Sequence, residues 1–193
     1  MKTRLGSAQK LVCLILFPLL LASHAAQAQQ AVPFERGAKI EMVVSKPSDI
    51  KGGDYDDKVQ KIVVKMKVTN VDTRQTYEGY TATVSVLAQS VLDRAVRRVV
   101  MQESVPLSLA PRQNLEHQCQ PVVLRFDKTG SAFGYFYDGW VVVVKDDKGK
   151  VVQVRSTSPA IEKLPEKAAG IRLGGGYSSK LDPASVPDDF RSR

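Results

Sequence analysis

Alternation of apolar and polar residues with a period of two is the feature that most constrains this chain. Between positions 61 and 68 apolar residues occupy every second position, and lysines occupy three of the positions between them. Successive side chains of a strand point to opposite faces, so this pattern indicates a strand with one buried and one solvated face. The alternation recurs over 39–44, 81–88 and 105–109. The sequence therefore predicts an antiparallel all-β protein.

Further apolar runs and turn signals complete the strand pattern. Residues 96–101 and 119–126 are largely apolar, and 140–155 forms two β runs around a turn in which Gly149 can take positive φ. About seven short strands without a helix-strand rhythm favour a two-sheet antiparallel sandwich over a barrel or an α/β fold. Over 89–98 the apolar spacing also fits a helix, so one short helix and a bulged strand are both open there.

The first 28 residues have the features of a signal peptide. Three basic residues precede an apolar run over 11–22, and Ala26-Gln27-Ala28 provides a small-residue cleavage site. The apolar run is shorter than the roughly 20 residues that a membrane-spanning helix needs. Cleavage after Ala28 would remove Cys13 and leave a mildly basic chain. We expect an exported protein, in the periplasm, at the outer surface or outside the cell, that does not span the membrane once processed.

The composition changes from Pro159 onward, where prolines, serines and the Gly174-Gly175-Gly176 triplet accumulate. Such a segment is typical of a flexible or partly docked tail, and its few apolar residues could also order on a partner. The predicted organisation is a signal peptide over 1–28, an N-terminal extension over 29–37, a β-sandwich over 38–158 and a tail over 159–193.

Residues that could support catalysis are scarce. His117 is the one histidine beyond the predicted signal peptide, and the chain has no Gly-x-Ser-x-Gly elbow, which argues against serine and cysteine hydrolases. His117 and Cys119 would point the same way in an extended segment, but two ligands make an incomplete metal site. The sequence therefore predicts a non-enzymatic protein without a metal ion or cofactor.

Two groups of basic residues are candidates for a binding face. If the fold brings them together, they would suit an anionic glycan, an anionic lipid or an acidic protein. Such residues otherwise keep the outer face of a sheet soluble and discourage edge pairing. Aromatic residues that could stack on bases do not interleave with them, so nucleic acid is not an expected partner. The candidates are Arg94, Arg97, Arg98, Lys61, Lys65 and Lys67.

Aromatic residues are concentrated over 133–140. Rings in an exposed strand could stack on sugars, whereas rings facing inward would fill the sandwich core. The first alternative makes Tyr135, Tyr137 and Trp140 candidate glycan contacts, and the second makes them structural.

Four segments together carry a resemblance to a known class of proteins. They are Lys65-Met-Lys-Val-Thr-Asn70, residues 81–88, Val105-Pro-Leu-Ser-Leu-Ala-Pro111 with the following residues 122–126, and the run from Tyr137 to Gly149. Over roughly 38–158 the chain resembles bacterial surface modules of the immunoglobulin and fibronectin type III kind. More narrowly, it looks like small secreted immunoglobulin-like proteins found with type IV pilus-like genes in mucin-degrading gut bacteria. The resemblance implies an immunoglobulin-like sandwich with a pilus-associated or cell-surface role, and it assigns no binding residue.

The leading hypothesis is a secreted, non-enzymatic binding or assembly module of the bacterial cell envelope. Its expected partners are envelope or pilus-like proteins that contact exposed strand edges and loops. The alternative is a surface protein that binds carbohydrate, such as mucin or another anionic glycan.

Overall fold

The computed structural model describes residues 31–46, 48–51, 57–127 and 133–187, so the predicted signal peptide lies outside the described residues. The strands are β1 (Ala38–Ser45), β2 (Ser48–Lys51), β3 (Asp57–Asn70), β4 (Tyr77–Ser90), β5 (Arg97–Leu109), β6 (Asn114–Gln118), β7 (Val122–Asp127), β8 (Tyr135–Lys145), β9 (Val151–Ser156), β10 (Gly176–Tyr177) and β11 (Pro183–Ala184). The short helices are α1 (Phe34–Gly37), α2 (Pro159–Glu162) and α3 (Pro165–Gly170). No helix within these ranges has the length and apolar character needed to cross a membrane.

The first sheet, sheet 1, is built around the long strand β3. The C-terminal part of β3 pairs with β1 and β6, and its N-terminal part pairs with β2 and β7, all antiparallel. Ser45 of β1 pairs with Val63 of β3, and Ser48 of β2 pairs with Gln60 of β3 in the same register. Strands β1 and β2 therefore lie along the same edge of β3. Strands β6 and β7 follow one another along the opposite edge. Sheet 1 is thus three strands wide.

The second sheet, sheet 2, has the antiparallel order β11-β10-β5-β4-β8-β9. The chain changes sheets after β3, after β5 and after β7. Apart from β10 and β11, which have two residues each, the sandwich therefore has three strand positions in one sheet and four in the other, an immunoglobulin-like arrangement. The predicted all-β fold, a two-sheet antiparallel sandwich of about seven strands, is confirmed.

The main core lies between the two sheets. The inward residues of β3, which set the period of two in the sequence, meet inward residues of β4, β5 and β8. Full burial of each such side chain contributes about 1.5–3 kcal/mol to folding. Members from β3 are Ile62, Val64, Met66 and Val68, and members from sheet 2 include Val84, Val86, Leu107, Val142 and Val144.

A second apolar cluster covers the outer face of sheet 2. Here the C-terminal segment, with α2, α3 and β10, packs on side chains of β4, β5 and β8. Strand β8 is therefore buried on both faces, and this explains why its valines form a continuous run rather than an alternating one. The cluster contains Leu87, Val99, Val141, Val143, Ile161, Ala168, Ile171, Tyr177 and Leu181.

Residues 89–98, for which the sequence left a helix open, form the end of a hairpin. Strand β4 continues to Ser90 and β5 begins at Arg97. The intervening turn is closed by the Ser90 N–H, which donates to the Val96 carbonyl at 3.0 Å. The Asp93 carboxylate accepts the N–H of Ala95 at 2.9 Å. The local hydrogen bonds of this turn take the place of a helix, and the short helices lie elsewhere.

Candidate functional site

The outer face of sheet 1 carries the predicted row of lysines. Each of the three alternates with buried residues of β3, so each points away from the core. Lys61 and Lys65 are exposed. Lys67 is partly buried, and its Nζ lies 3.3 Å from Glu116 Oε1 on the neighbouring strand β6. The fold therefore brings these three lysines together on one surface.

Two valines are exposed among these lysines. Val43 is 63% exposed and Val123 is 54% exposed. Val43 pairs with Lys65 across β1 and β3, and Val123 pairs with Lys61 across β3 and β7. Each exposed valine thus lies beside a lysine, on one of the two edge strands that flank β3 in sheet 1.

Basic residues outnumber acidic residues on this surface. The Lys39 ammonium lies beside Glu41 and lowers the pKa of that carboxyl. The remaining lysines and an arginine on β7 leave the surface with net positive charge. We call this surface the lysine face; it consists of Lys39, Glu41, Val43, Lys61, Lys65, Lys67, Glu116, Val123 and Arg125.

The three candidate arginines belong to sheet 2 and its hairpin, away from the lysine face. Arg94 is exposed in the β4–β5 turn, and Arg98 is partly buried on β5. Arg97 Nε lies 2.6 Å from Asp138 Oδ2, with the two side chains 18% and 26% exposed. This pair lines a cleft of about 230 Å³, together with residues of the outer cluster such as Leu87. The structure does not join the arginines and the lysines into one face.

The candidate aromatic contacts turn toward the core. Tyr135 is 0% exposed, so a sugar cannot reach its ring without rearrangement of the sandwich. Tyr137 and Trp140 are partly buried and pack against the main core. Burial is the main cause that raises the pKa of the Tyr137 hydroxyl, and Lys46 Nζ lies 4.1 Å from its ring centroid. Most of this aromatic surface is thus engaged within the protein.

A third cluster, which sequence reasoning found only in part, lies where β5 faces β6. His117 and Cys119 point the same way, as their spacing predicted, and Glu103 reaches them from the other sheet. The Nε2 atom of His117 lies 3.0 Å from Oε2 of Glu103. The N–H of Gln120 donates to Oε1 of Glu103 at 2.7 Å. The signal for Glu103 was its place in the inward register of β5, two positions from buried Met101.

The thiol of this cluster is held in its protonated form. Cys119 is 1% exposed. Burial, with a smaller contribution from the Glu103 carboxylate, raises the pKa of the Cys119 thiol to about 11. At neutral pH the sulfur is therefore a thiol rather than a nucleophilic thiolate.

Comparison with known proteins gives distant structural likenesses alone. No family model matches the chain, and no curated protein matches it in sequence. A structural-genomics target is similar in structure at 8% identity and a TM-score of 0.35, over 65% of this chain and 90% of that one. A protein from Akkermansia muciniphila is similar at 15% identity and a TM-score of 0.32, over 70% and 79% of the two chains. Bacteroides uniformis beta-glucuronidase 2 is similar at 8% identity and a TM-score of 0.35, over 60% of this chain and 12% of the enzyme. At these values the likenesses carry no functional argument.

Proposed function

We propose that this chain is an exported, non-enzymatic binding module of the bacterial cell envelope, which docks an acidic surface of another envelope protein on its lysine face. The supporting observation is the pair of exposed valines, Val43 and Val123, within a net basic sheet face. The outer face of sheet 2 is covered by the C-terminal segment of the same chain. The two outer faces of the sandwich therefore differ, and among the described residues the lysine face is the one left accessible.

The physical basis of the docking has two parts. Full burial of a valine against a partner contributes at most about 1.5–3 kcal/mol, so the two valines can anchor a contact. The surrounding basic residues attract an acidic surface over a distance of about 10 Å at moderate salt and orient it. Charge of this kind acts mainly on the association rate and on specificity, so we expect salt-sensitive binding.

The class of partner follows from the resemblance of the sequence. Because the chain resembles secreted immunoglobulin-like proteins found with type IV pilus-like genes, pilus-associated components are the first partners to test. The proposal places the protein outside the cytoplasm, in agreement with the predicted signal peptide.

Charge reversal on the lysine face tests the proposal. The exported protein carrying Lys61→Glu and Lys65→Glu is compared with a variant carrying Lys148→Glu and Lys150→Glu in the exposed β8–β9 turn. Both variants change the net charge equally, and thermal melting checks that both are folded. After gentle crosslinking in cells, we expect the lysine-face variant to lose at least about tenfold of the co-recovered envelope protein, since each pair of like charges in contact opposes binding. We expect the turn variant to retain it.

Two results would overturn the proposal. Equal co-recovery by both variants would show that the lysine face does not make the contact. Recovery of mucin glycan in place of protein, with loss on Trp140→Ala in a folded variant, would assign the carbohydrate-binding alternative.

A further inference from the structure

We propose that Glu103, His117 and Cys119 form a binding site for one zinc ion between the two sheets. The inference does not depend on the proposed function, because the cluster lies on the inner side of the sheets and the lysine face lies on the outer side of sheet 1. The ligand set contains one carboxylate, one imidazole and one thiol, with their ligand atoms within 4.8 Å of one another.

The fold determines the direction of each of these side chains. His117 pairs with buried Met66 on β3, so its ring turns inward. Two residues later, the Cys119 N–H donates to the Val64 carbonyl at 2.9 Å and holds the thiol on the same side. Glu103 pairs with Val84 on β4 and approaches from sheet 2. Three ligands from two sheets thus converge without a change in the backbone.

The distances suit a tetrahedral zinc ion after small side-chain movements. Zinc bonds to sulfur, nitrogen and oxygen are about 2.0–2.3 Å long, and tetrahedral ligand atoms are therefore about 3.4–3.6 Å apart. His117 Nε2 and Glu103 Oε2 lie 3.0 Å apart, and no pair of ligand atoms exceeds 4.8 Å. Rotations that move ligand atoms by about 1 Å would meet the zinc geometry.

The chemistry of the ligands favours zinc over harder cations. Thiolate and imidazole ligands suit zinc, whereas calcium and magnesium require oxygen ligands. The Gln120 N–H bond to one carboxylate oxygen leaves the other facing His117, which is the kind of outer support that orients metal ligands. The side chains of His117 and Glu103 are 32% and 23% exposed, so an ion can enter from solvent and a water can complete the coordination.

Binding releases a proton. As the zinc–sulfur bond forms, the Cys119 S–H bond breaks heterolytically and the proton passes to solvent, with no change in oxidation state. The His117–Glu103 hydrogen bond is replaced by two bonds to the ion. Because imidazole binds zinc in its neutral form, Nε2 gives up the proton of this hydrogen bond and Nδ1 carries the ring proton, an exchange through solvent that leaves the thiol proton as the one released. Because the ion would hold β5 and β6 together, zinc should raise the melting temperature of the folded protein.

Cobalt(II) titration followed by zinc displacement tests the site. Co²⁺ bound tetrahedrally to a thiolate gives a sulfur-to-cobalt charge-transfer band and intense visible bands. We expect one Co²⁺ per chain, displaced by equimolar Zn²⁺, with the charge-transfer band lost in Cys119→Ser. Glu103→Gln and His117→Gln keep the side-chain size and should weaken zinc affinity by at least about tenfold. Loss of a ligand should reduce the affinity at least as much as loss of a residue that only orients a ligand.

Matched controls separate a metal site from adventitious binding. Gln118→Ala removes an exposed neighbour on β6 that points away from the cluster, and it should leave the affinity unchanged. Cys13→Ser in the full chain controls for the other cysteine. Absence of stoichiometric binding at micromolar metal would overturn the proposal. So would a charge-transfer band that persists in Cys119→Ser, or equal zinc affinity in the wild type and in folded Glu103→Gln and His117→Gln.

Discussion

One buried polar residue, Asn70, joins the end of β3 to two other segments. Its side-chain amide nitrogen lies 2.7 Å from the carbonyl of Gln75, 3.2 Å from that of Leu109 and 3.0 Å from that of Ala110. Its side-chain oxygen accepts the N–H of Asp72 at 2.9 Å. Asn70 therefore ties the turn between β3 and β4 to the end of β5, at the point where the chain passes between sheets.

Replacement of Asn70 should destabilise the folded protein. Asn70→Ala leaves buried backbone groups without hydrogen bonds, and we expect it to lower the free energy of unfolding by about 2–3 kcal/mol. The matched control is Asn114→Ala at an exposed position of β6, which should change it by less than about 0.5 kcal/mol. Urea denaturation measures both. Similar small effects for the two variants would show that the Asn70 bonds do not stabilise the turn.

The thiol of Cys119 should make stability depend on pH in the alkaline range. Because burial raises the folded-state pKa from 9.0 to about 11, the native state favours the protonated thiol. The resulting stabilisation is fully present below the unfolded-state pKa and is lost as pH rises from about 9 toward 11. We expect the difference in unfolding free energy between wild type and Cys119→Ala, measured with chelator present, to shrink across this interval. Titration of the tyrosines affects both proteins alike, so it does not change this difference in unfolding free energy. A difference that stays constant with pH would contradict the assigned burial effect.

At the scale of elements, the alternation predicted the strands well where one face is solvated. The pattern over 61–68 identified β3, because its lysines face water and the apolar residues that alternate with them face the core. The extension of β3 back to Asp57 was not predicted, since that end follows an acidic, glycine-bearing stretch. The presence of Glu103 in the cluster with His117 and Cys119 could not be predicted. Alternation shows which face of the sheet a residue lies on, but not which strand of the other sheet it contacts.

The sequence left open a flexible or a partly docked C-terminal segment, but it could not show that this segment packs on sheet 2. Its apolar anchors, such as Ile171 and Tyr177, are isolated among glycines, serines and prolines, so they show no period. Their partners on β8 belong to a continuous valine run, which fits a strand buried on either one or two faces.

The contribution of this segment can be measured with two neighbouring residues. Ile171 is 4% exposed in the outer cluster, and Leu173 is 61% exposed. Ile171→Ala removes buried methyl groups and should destabilise the protein by about 2–4 kcal/mol. Leu173→Ala, the matched control, should cost less than about 0.5 kcal/mol. Thermal and urea denaturation compare the two, and equal small effects would contradict the packing of the segment on sheet 2.

At the scale of the whole molecule, the sandwich has one outer face covered by its own chain and one face that presents lysines and valines. The composition of the lysine face was partly visible in the sequence, because the lysine row was identified there. The sequence did not show that the arginines lie away from the lysine face, because their position depends on which sheet each strand joins. The described residues therefore include one accessible sheet face, and the proposed docking rests on that face.

Site-specific photo-crosslinking tests the central claim most directly. A photoreactive amino acid replaces Val43 on the lysine face or, as a control of equal accessibility, Leu173 on the C-terminal segment; the two positions are 63% and 61% exposed. After irradiation of living cells, we predict a discrete adduct with an envelope protein from position 43, none from position 173, and loss of the adduct when Lys61→Glu and Lys65→Glu are added. No adduct from position 43, or the same adduct in equal yield from both positions, would contradict docking on the lysine face.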